Sequence, residues 1–206
     1  ATVPRIYDAG GIRIAHLSFT YGLNGFQVPA DQPWLVNLID PAAIEAQAAA
    51  AKAAGAELVI VSLHWGVEYQ QDPTAEQLGL APQLLASPNI DLIVGHHAHV
   101  IQPIGAVGAE FVAYGIGNFL TNQSANCCVT ASQDGMILSV TVGDSRQFWA
   151  APFEWILGPS VLAVRLPMAI SSAWMSWATW TMCSQSSSPR VASSTRTSAV
   201  APMVLS

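Results

Sequence analysis

Two short apolar runs each end in histidine, Leu58-Val-Ile-Val-Ser-Leu-His64-Trp65-Gly66 and Ile90-Asp-Leu-Ile-Val-Gly95-His96-His97-Ala98-His99, and this pairing constrains the chain more than any other feature. Continuous β-branched runs of this length are typical of buried strands in a parallel sheet, where both faces are covered and no polar alternation survives. Open α/β folds place ligands just outside the carboxyl ends of such strands. Four histidines at two such edges therefore read as half of a metal site.

The segments between the runs support an α/β fold. Ile12 to Tyr21 has strand character and leads into a loop punctuated by Asn24-Gly25, Pro29 and Pro33. Asp40-Pro41 supplies an N-cap followed by proline in the first helical turn, and Gly55 closes the Ala-rich helix between them. Thr74-Ala-Glu-Gln77 has the form of a capping box opening a second helix toward Leu85, which Pro82 is expected to bend or divide. Glu110 to Tyr114 and Gly135 to Val142 are further strands, with a weaker one from Phe148 to Trp155.

Composition narrows the function classes. The 206 residues are 51% hydrophobic and 10% charged, enough for one domain with a substantial core. A formal charge of −6 with Lys52 as the single lysine leaves no basic surface able to neutralise a run of phosphates, which argues against nucleic acid as a partner. Cys127, Cys128 and Cys183 do not make an even-numbered disulfide framework. The chain opens at Ala1-Thr-Val-Pro-Arg5 without an export signal. The apolar stretch from Trp155 to Cys183 is interrupted by Arg165 and Pro167, poor material for a membrane span.

From about Ile156 the text changes character. It becomes rich in Ser, Trp, Met and Thr, lacks lysine, and shows neither helical nor strand period. Residues 157–206 therefore read as an atypical tail, as an out-of-frame read-through would produce. Poor order is expected there, with no well-packed core around Trp174 and Trp177.

Neutral imidazole is a ligand for Zn, Mn, Fe or Ni. In an extended backbone the i, i+2 pair His97 and His99 would face one side, where the two rings could chelate one ion or flank two, and His64 could add a ligand from the neighbouring edge. His96 is then expected to point away, packing inward or bonding backbone. His16, mid-strand, reads as structural.

His64-Trp65-Gly66-Val67-Glu68-Tyr69 with Pro73 and Gln77, Gly95-His96-His97-Ala98-His99-Val100-Ile101-Gln102-Pro103, and Tyr114-Gly-Ile-Gly117-Asn118-Phe119 together resemble the CapA family of poly-γ-glutamate capsule biosynthesis proteins, within the calcineurin-like metallophosphoesterase superfamily. Thr20-Tyr-Gly-Leu-Asn24-Gly25 and Asn37-Leu-Ile-Asp40 extend the likeness, which covers roughly residues 8 to 156. The resemblance implies an α/β sandwich of two sheets flanked by helices, of which residues 1–156 would be the C-terminal part. It implies divalent ions (Mn, Zn or Fe, two in an intact member) held by His64, His97 and His99. Glu68 would be a general acid or ligand-orienting carboxylate, and Asn118 would bind substrate oxygen.

The implied activity is metal-dependent hydrolysis of the phosphoesterase type in capsule biosynthesis, on an anionic polymer or phosphoester and alongside the capsule synthesis machinery. The alternative is a non-catalytic module for capsule-polymer assembly or export. The implied location is the cell envelope, at the outer face of the cytoplasmic membrane, with anchoring through an upstream segment. The family's upstream acidic and Asn-His motifs have no counterpart in this sequence, and histidines alone do not offset the repulsion of two close cations. The fragment is accordingly expected to be inactive, with at most weak single-ion binding.

Overall fold

The computed structural model of the chain describes residues 4–143 and 160–169. Its principal sheet has six strands: β1 (Arg5–Ala9), β2 (Ile12–Thr20), β3 (Leu58–His64), β4 (Leu92–His96), β5 (Ile104–Val107) and β6 (Glu110–Ala113), in the order β1-β2-β3-β4-β6-β5. The four central strands β2, β3, β4 and β6 run parallel, and the edge strands β1 and β5 are antiparallel to their neighbours. Strand β7 (Asp134–Gly143) pairs in parallel with β8 (Ser160–Ala169) in a separate two-stranded sheet. The expected strand from Phe148 to Trp155 and the tryptophans of the tail lie outside the described residues.

Helices α1 (Pro41–Ala53) and α2 (Ala75–Leu85) connect β2 to β3 and β3 to β4. Both start where the sequence places a cap. Asp40 Oδ1 accepts from the Ala42 and Ala43 amides at 2.9 and 3.5 Å, satisfying donors that an uncapped first turn leaves open. At α2 the box is complete: Thr74 Oγ1 accepts from the Gln77 amide and Gln77 Oε1 accepts from the Thr74 amide, at 3.2 and 2.9 Å. Pro82 lies inside α2 without dividing it.

The two faces of the sheet are covered differently. Ala15, Leu17 and Phe19 of β2, Val59, Val61 and Leu63 of β3 and Ile93 of β4 pack against Ile44 and Ala48 of α1 and Leu80 and Leu84 of α2. On the other face Ile14, Leu58, Ile60, Leu92 and Val94 pack with Met136, Leu138 and Val140 of β7. Alternate residues of each central strand thus serve opposite cores, which explains the unbroken apolar runs. The layering of helices, sheet and β7 agrees with the α/β class and with part of a metallophosphoesterase-like sandwich.

Glycines enforce closeness at the carboxyl edge. A Cβ on Gly95 would overlap the Tyr114 carbonyl oxygen and crowd Trp65 Nε1, which donates to that same carbonyl at 3.0 Å. Among the described residues no helix is long and apolar enough to cross a membrane.

Candidate metal centre

Parallel register brings the strand ends together. Thr20, His64 and His96 are Cα partners across β2, β3 and β4, so all three point to the same sheet face at the carboxyl edge. The loops beyond are cross-bonded: the Tyr21 amide donates to the His64 carbonyl (2.9 Å), the Tyr69 amide to Ala98 (2.7 Å), and the Ile116 amide to Gly95 (3.2 Å). A cleft of about 760 Å³ opens at this edge, and all five histidines of the chain line it.

The structure brings His64, His97 and His99 together. Ring centroids of His64 and His97 are 4.4 Å apart, and those of His97 and His99 6.4 Å. The reason differs from the extended i, i+2 geometry expected from the sequence. His97 and His99 both adopt positive φ, 90° and 56°, so a left-handed turn rather than a strand presents the two rings. Non-glycine residues rarely occupy that region, and where they do the strain concentrates at functional sites.

Hydrogen bonds fix the tautomers of two rings. Thr20 Oγ1 donates to the Gly22 carbonyl at 2.6 Å, so its oxygen accepts from His64 Nδ1 at 3.0 Å. The Asn118 amide nitrogen donates among the His99 and Ser132 carbonyls and Gln123 Oε1, at 3.3, 2.9 and 3.1 Å. That orients Asn118 Oδ1 as acceptor from His99 Nδ1 at 2.8 Å. Both rings therefore carry the proton on Nδ1 and leave an Nε2 lone pair, the arrangement in which an outer hydrogen bond aims a ligating histidine. Asn118, read from the sequence as a substrate-binding amide, has its two protons shared among three acceptors and serves to orient His99.

His97 is different. Its Nδ1 is buried and has no hydrogen-bond partner, a condition native interiors rarely tolerate. Burial and then the neighbouring His99 hold its pKa below the ordinary imidazole range, with the Glu68 charge opposing from between them in strength. His64 is lowered by burial and by His97 and His99, against Glu68. All these shifts favour neutral, lone-pair-bearing rings. Glu68 itself is exposed, and its carboxylate acts on both rings through space.

His96 does not turn wholly away from the others. It lines the same cleft, beside His64 in register, and burial with the charges of His64 and His16 pushes its pKa down to about 4. His16 has a structural partner, its Nε2 lying 2.8 Å from Ser62 Oγ. Among the described residues no group of three or more His, Cys, Asp or Glu side chains could hold a metal ion as the side chains stand.

Sequence reasoning missed Tyr21. Its ring stacks on His64 at 5.6 Å and 13° and meets His97 at 4.9 Å, while 48% of the residue is exposed and its hydroxyl donates to Asn24 Oδ1 at 3.0 Å. It forms one wall of the histidine cluster. Its place in the Thr20-Tyr-Gly-Leu-Asn24-Gly25 segment, at the end of the expected strand, was the signal that pointed to it.

The PGA biosynthesis protein CapA of Bacillus subtilis (strain 168) is 36% identical over 114 residues, 55% of this chain and 29% of that protein. The Capsule biosynthesis protein CapA of Bacillus anthracis is 33% identical over 120 residues, 56% of this chain and 29% of that protein. The aligned part thus spans less than a third of either relative. The family described as bacterial capsule synthesis protein PGA_cap matches residues 1–123, a stretch that holds the three histidines, Glu68 and Asn118, and the chain belongs to that family.

Proposed function

We propose that this chain carries part of the centre of a metal-dependent hydrolase of the phosphoesterase type, acting in poly-γ-glutamate capsule biosynthesis at the cell envelope, at the outer face of the cytoplasmic membrane. His64, His97 and His99 are the metal-facing residues. The observation that carries this reading is the buried, unpartnered Nδ1 of His97 beside two rings whose Nε2 lone pairs are kept free. A divalent ion of the Mn, Zn or Fe class would supply Lewis acidity toward a phosphoryl oxygen there. Thr20 and Asn118 hold the rings in the ligating tautomer, Tyr21 shields them on one side, and Glu68, whose charge acts on His64 and His97, would exchange a proton with a leaving group or a water. An anionic polymer or phosphoester is the substrate class this chemistry suits.

Metal titration of the chain by calorimetry tests the assignment without requiring turnover. One ion is expected to bind weakly. His97→Ala should lower its affinity by about tenfold or more, and His96→Ala should lower it less. Equal losses, or retention of two ions per chain after dialysis, would overturn the assignment. The second reading, a non-catalytic module for assembly or export of capsule polymer, is favoured by the absence of a ready three-donor set among the described residues. Metal binding by a full-length relative without hydrolysis of any aryl phosphate would select it.

A further inference from the structure

Cys127 and Cys128 take no part in the proposed chemistry, yet they sit beside it. The amides of both donate to the Ser124 carbonyl, at 3.1 and 2.8 Å, closing a tight turn. That turn sets the two sulfurs 2.6 Å apart. Cys127 is exposed, Cys128 is partly so, and neither is in a disulfide.

The two sulfurs have different surroundings. Cys127 Sγ accepts from the Ser124 amide at 3.4 Å, and a hydrogen bond from Cys128 followed by that backbone environment lowers its pKa. Cys128 is raised, chiefly by Cys127, and shares a hydrogen bond with the Tyr69 phenol. That bond is also the main cause that pushes Tyr69 up to about 12. Tyr69 in turn packs against His99, ring centroids 6.1 Å apart. An exposed thiol in contact with a second, less exposed thiol is the arrangement of an attacking and a resolving cysteine.

We propose that Cys127 and Cys128 form an oxidation site in which a peroxide converts the pair to a vicinal disulfide at the rim of the histidine cluster. The Cys127 thiolate attacks one peroxide oxygen and the O–O bond breaks, giving a sulfenic acid and, after protonation, one water. The Cys128 sulfur then displaces hydroxide from the sulfenic sulfur, losing its proton and releasing a second water. Two thiols and one peroxide thus give one disulfide and two waters. Adjacent Cα atoms lie closer than a relaxed disulfide prefers, so the closed ring belongs to the reducible, reversible class. Closure turns the Cys128 sulfur, which accepts from the Tyr69 phenol, into a weaker disulfide acceptor, and this links the oxidation state to the wall beside His99.

The test uses the Cys183→Ser chain, in which Cys127 and Cys128 are the only thiols. One equivalent of hydrogen peroxide should abolish both reactive thiols, lower the intact mass by about 2 Da and leave the chain monomeric, with full reversal by dithiothreitol. Adding Cys128→Ser should leave a sulfenic acid that dimedone traps on Cys127, whereas Cys127→Ser should yield far less adduct. Two surviving thiols, a disulfide-linked dimer, or a sulfinic acid in place of the disulfide would overturn the proposal. Equal trapping in the two serine variants would overturn the assignment of Cys127 as the attacking residue. None of these outcomes depends on metal binding, so the oxidation site and the proposed hydrolase stand or fall separately.

Discussion

Replacing Gln77 by leucine probes how the fold supports the histidine-bearing turn. Gln77 is 1% exposed and ties three elements together. Its Oε1 accepts from the Thr74 amide at the start of α2, and its Nε2 donates to Gln102 Oε1 at 3.0 Å, just beyond the histidine turn. Gln102, also 1% exposed, passes the connection on by donating to the Gln70 carbonyl at 2.8 Å. Leucine keeps most of the volume but strands the Gln102 oxygen in the interior, which costs about 1–3 kcal/mol. It also removes half of the capping box, worth about 1 kcal/mol. The sum is about 3 kcal/mol, or a fall in Tm of roughly 6–12 °C for a chain of this size. Urea unfolding followed by far-ultraviolet circular dichroism measures it. In a double-mutant cycle with Gln102→Leu the pair should cost about 1–2 kcal/mol less than the sum of the singles, because the second change removes the group the first one strands. A Gln77→Leu cost below about 0.5 kcal/mol, or simple additivity, would refute the claim that this buried amide pair is a structural unit.

Two further perturbations follow from particular contacts. Gly95→Ala places a methyl into the Tyr114 carbonyl and the Trp65 indole nitrogen at the point where β4 meets its neighbours; an overpacking cost of about 3 kcal/mol or more is expected in urea unfolding, and a cost below about 1 kcal/mol would contradict the packing described. Glu110 is pushed up to about 7 by burial and by the Asp91 carboxylate, against Lys52. The folded state therefore binds more protons than the unfolded chain from about pH 4.5 to about pH 7, so this group lowers stability as pH rises through that window. Glu110→Gln should gain on the parent across the same range, by on the order of 1 kcal/mol at pH 8 after solvent screening of a partly exposed group. A constant difference between the two proteins from pH 4 to pH 8 would refute it.

The sequence exposed those elements whose cause is local. Both helix starts could be read because their caps are side chains within three residues of the amides they satisfy. Strands β3 and β4 could be read because each of their faces meets an apolar core, leaving uninterrupted runs. Strand β1 was missed because it is short and mixes polar with apolar residues, and β5 because four residues, one of them Gly105, are too few to show a period. Their turns nevertheless carried a signal: Gly10 and Gly11, at φ 67° and 91°, link β1 to β2, and Gly108, at φ 65°, links β5 to β6. Convergence of the histidines followed from strand order, but the orientation of each ring did not. The backbone reversal at His97 and His99, the Tyr21 wall and the accepting role of Asn118 arise from contacts between loops far apart in sequence, which no local period encodes.

Strain in the histidine turn leads to a reversal of the ordinary ranking of alanine and glycine. His97 sits at φ 90°, where a Cβ is disfavoured, and its neighbours hold it there through the Tyr69 amide on the Ala98 carbonyl and the Gln102 amide on Gly115. Both His97→Ala and His97→Gly delete the imidazole and its unpartnered nitrogen, so they lose the same proposed ligand. They differ only in the backbone. Elsewhere glycine costs stability relative to alanine through the entropy of the unfolded chain, but at a positive φ the alanine must carry the strain instead. His97→Gly should therefore be more stable than His97→Ala by about 1 kcal/mol, with equally weak metal binding in calorimetry. If alanine proves the more stable replacement, the left-handed conformation is not held against resistance. The turn would then be a relaxed loop rather than a strained one fixed for the sake of its rings.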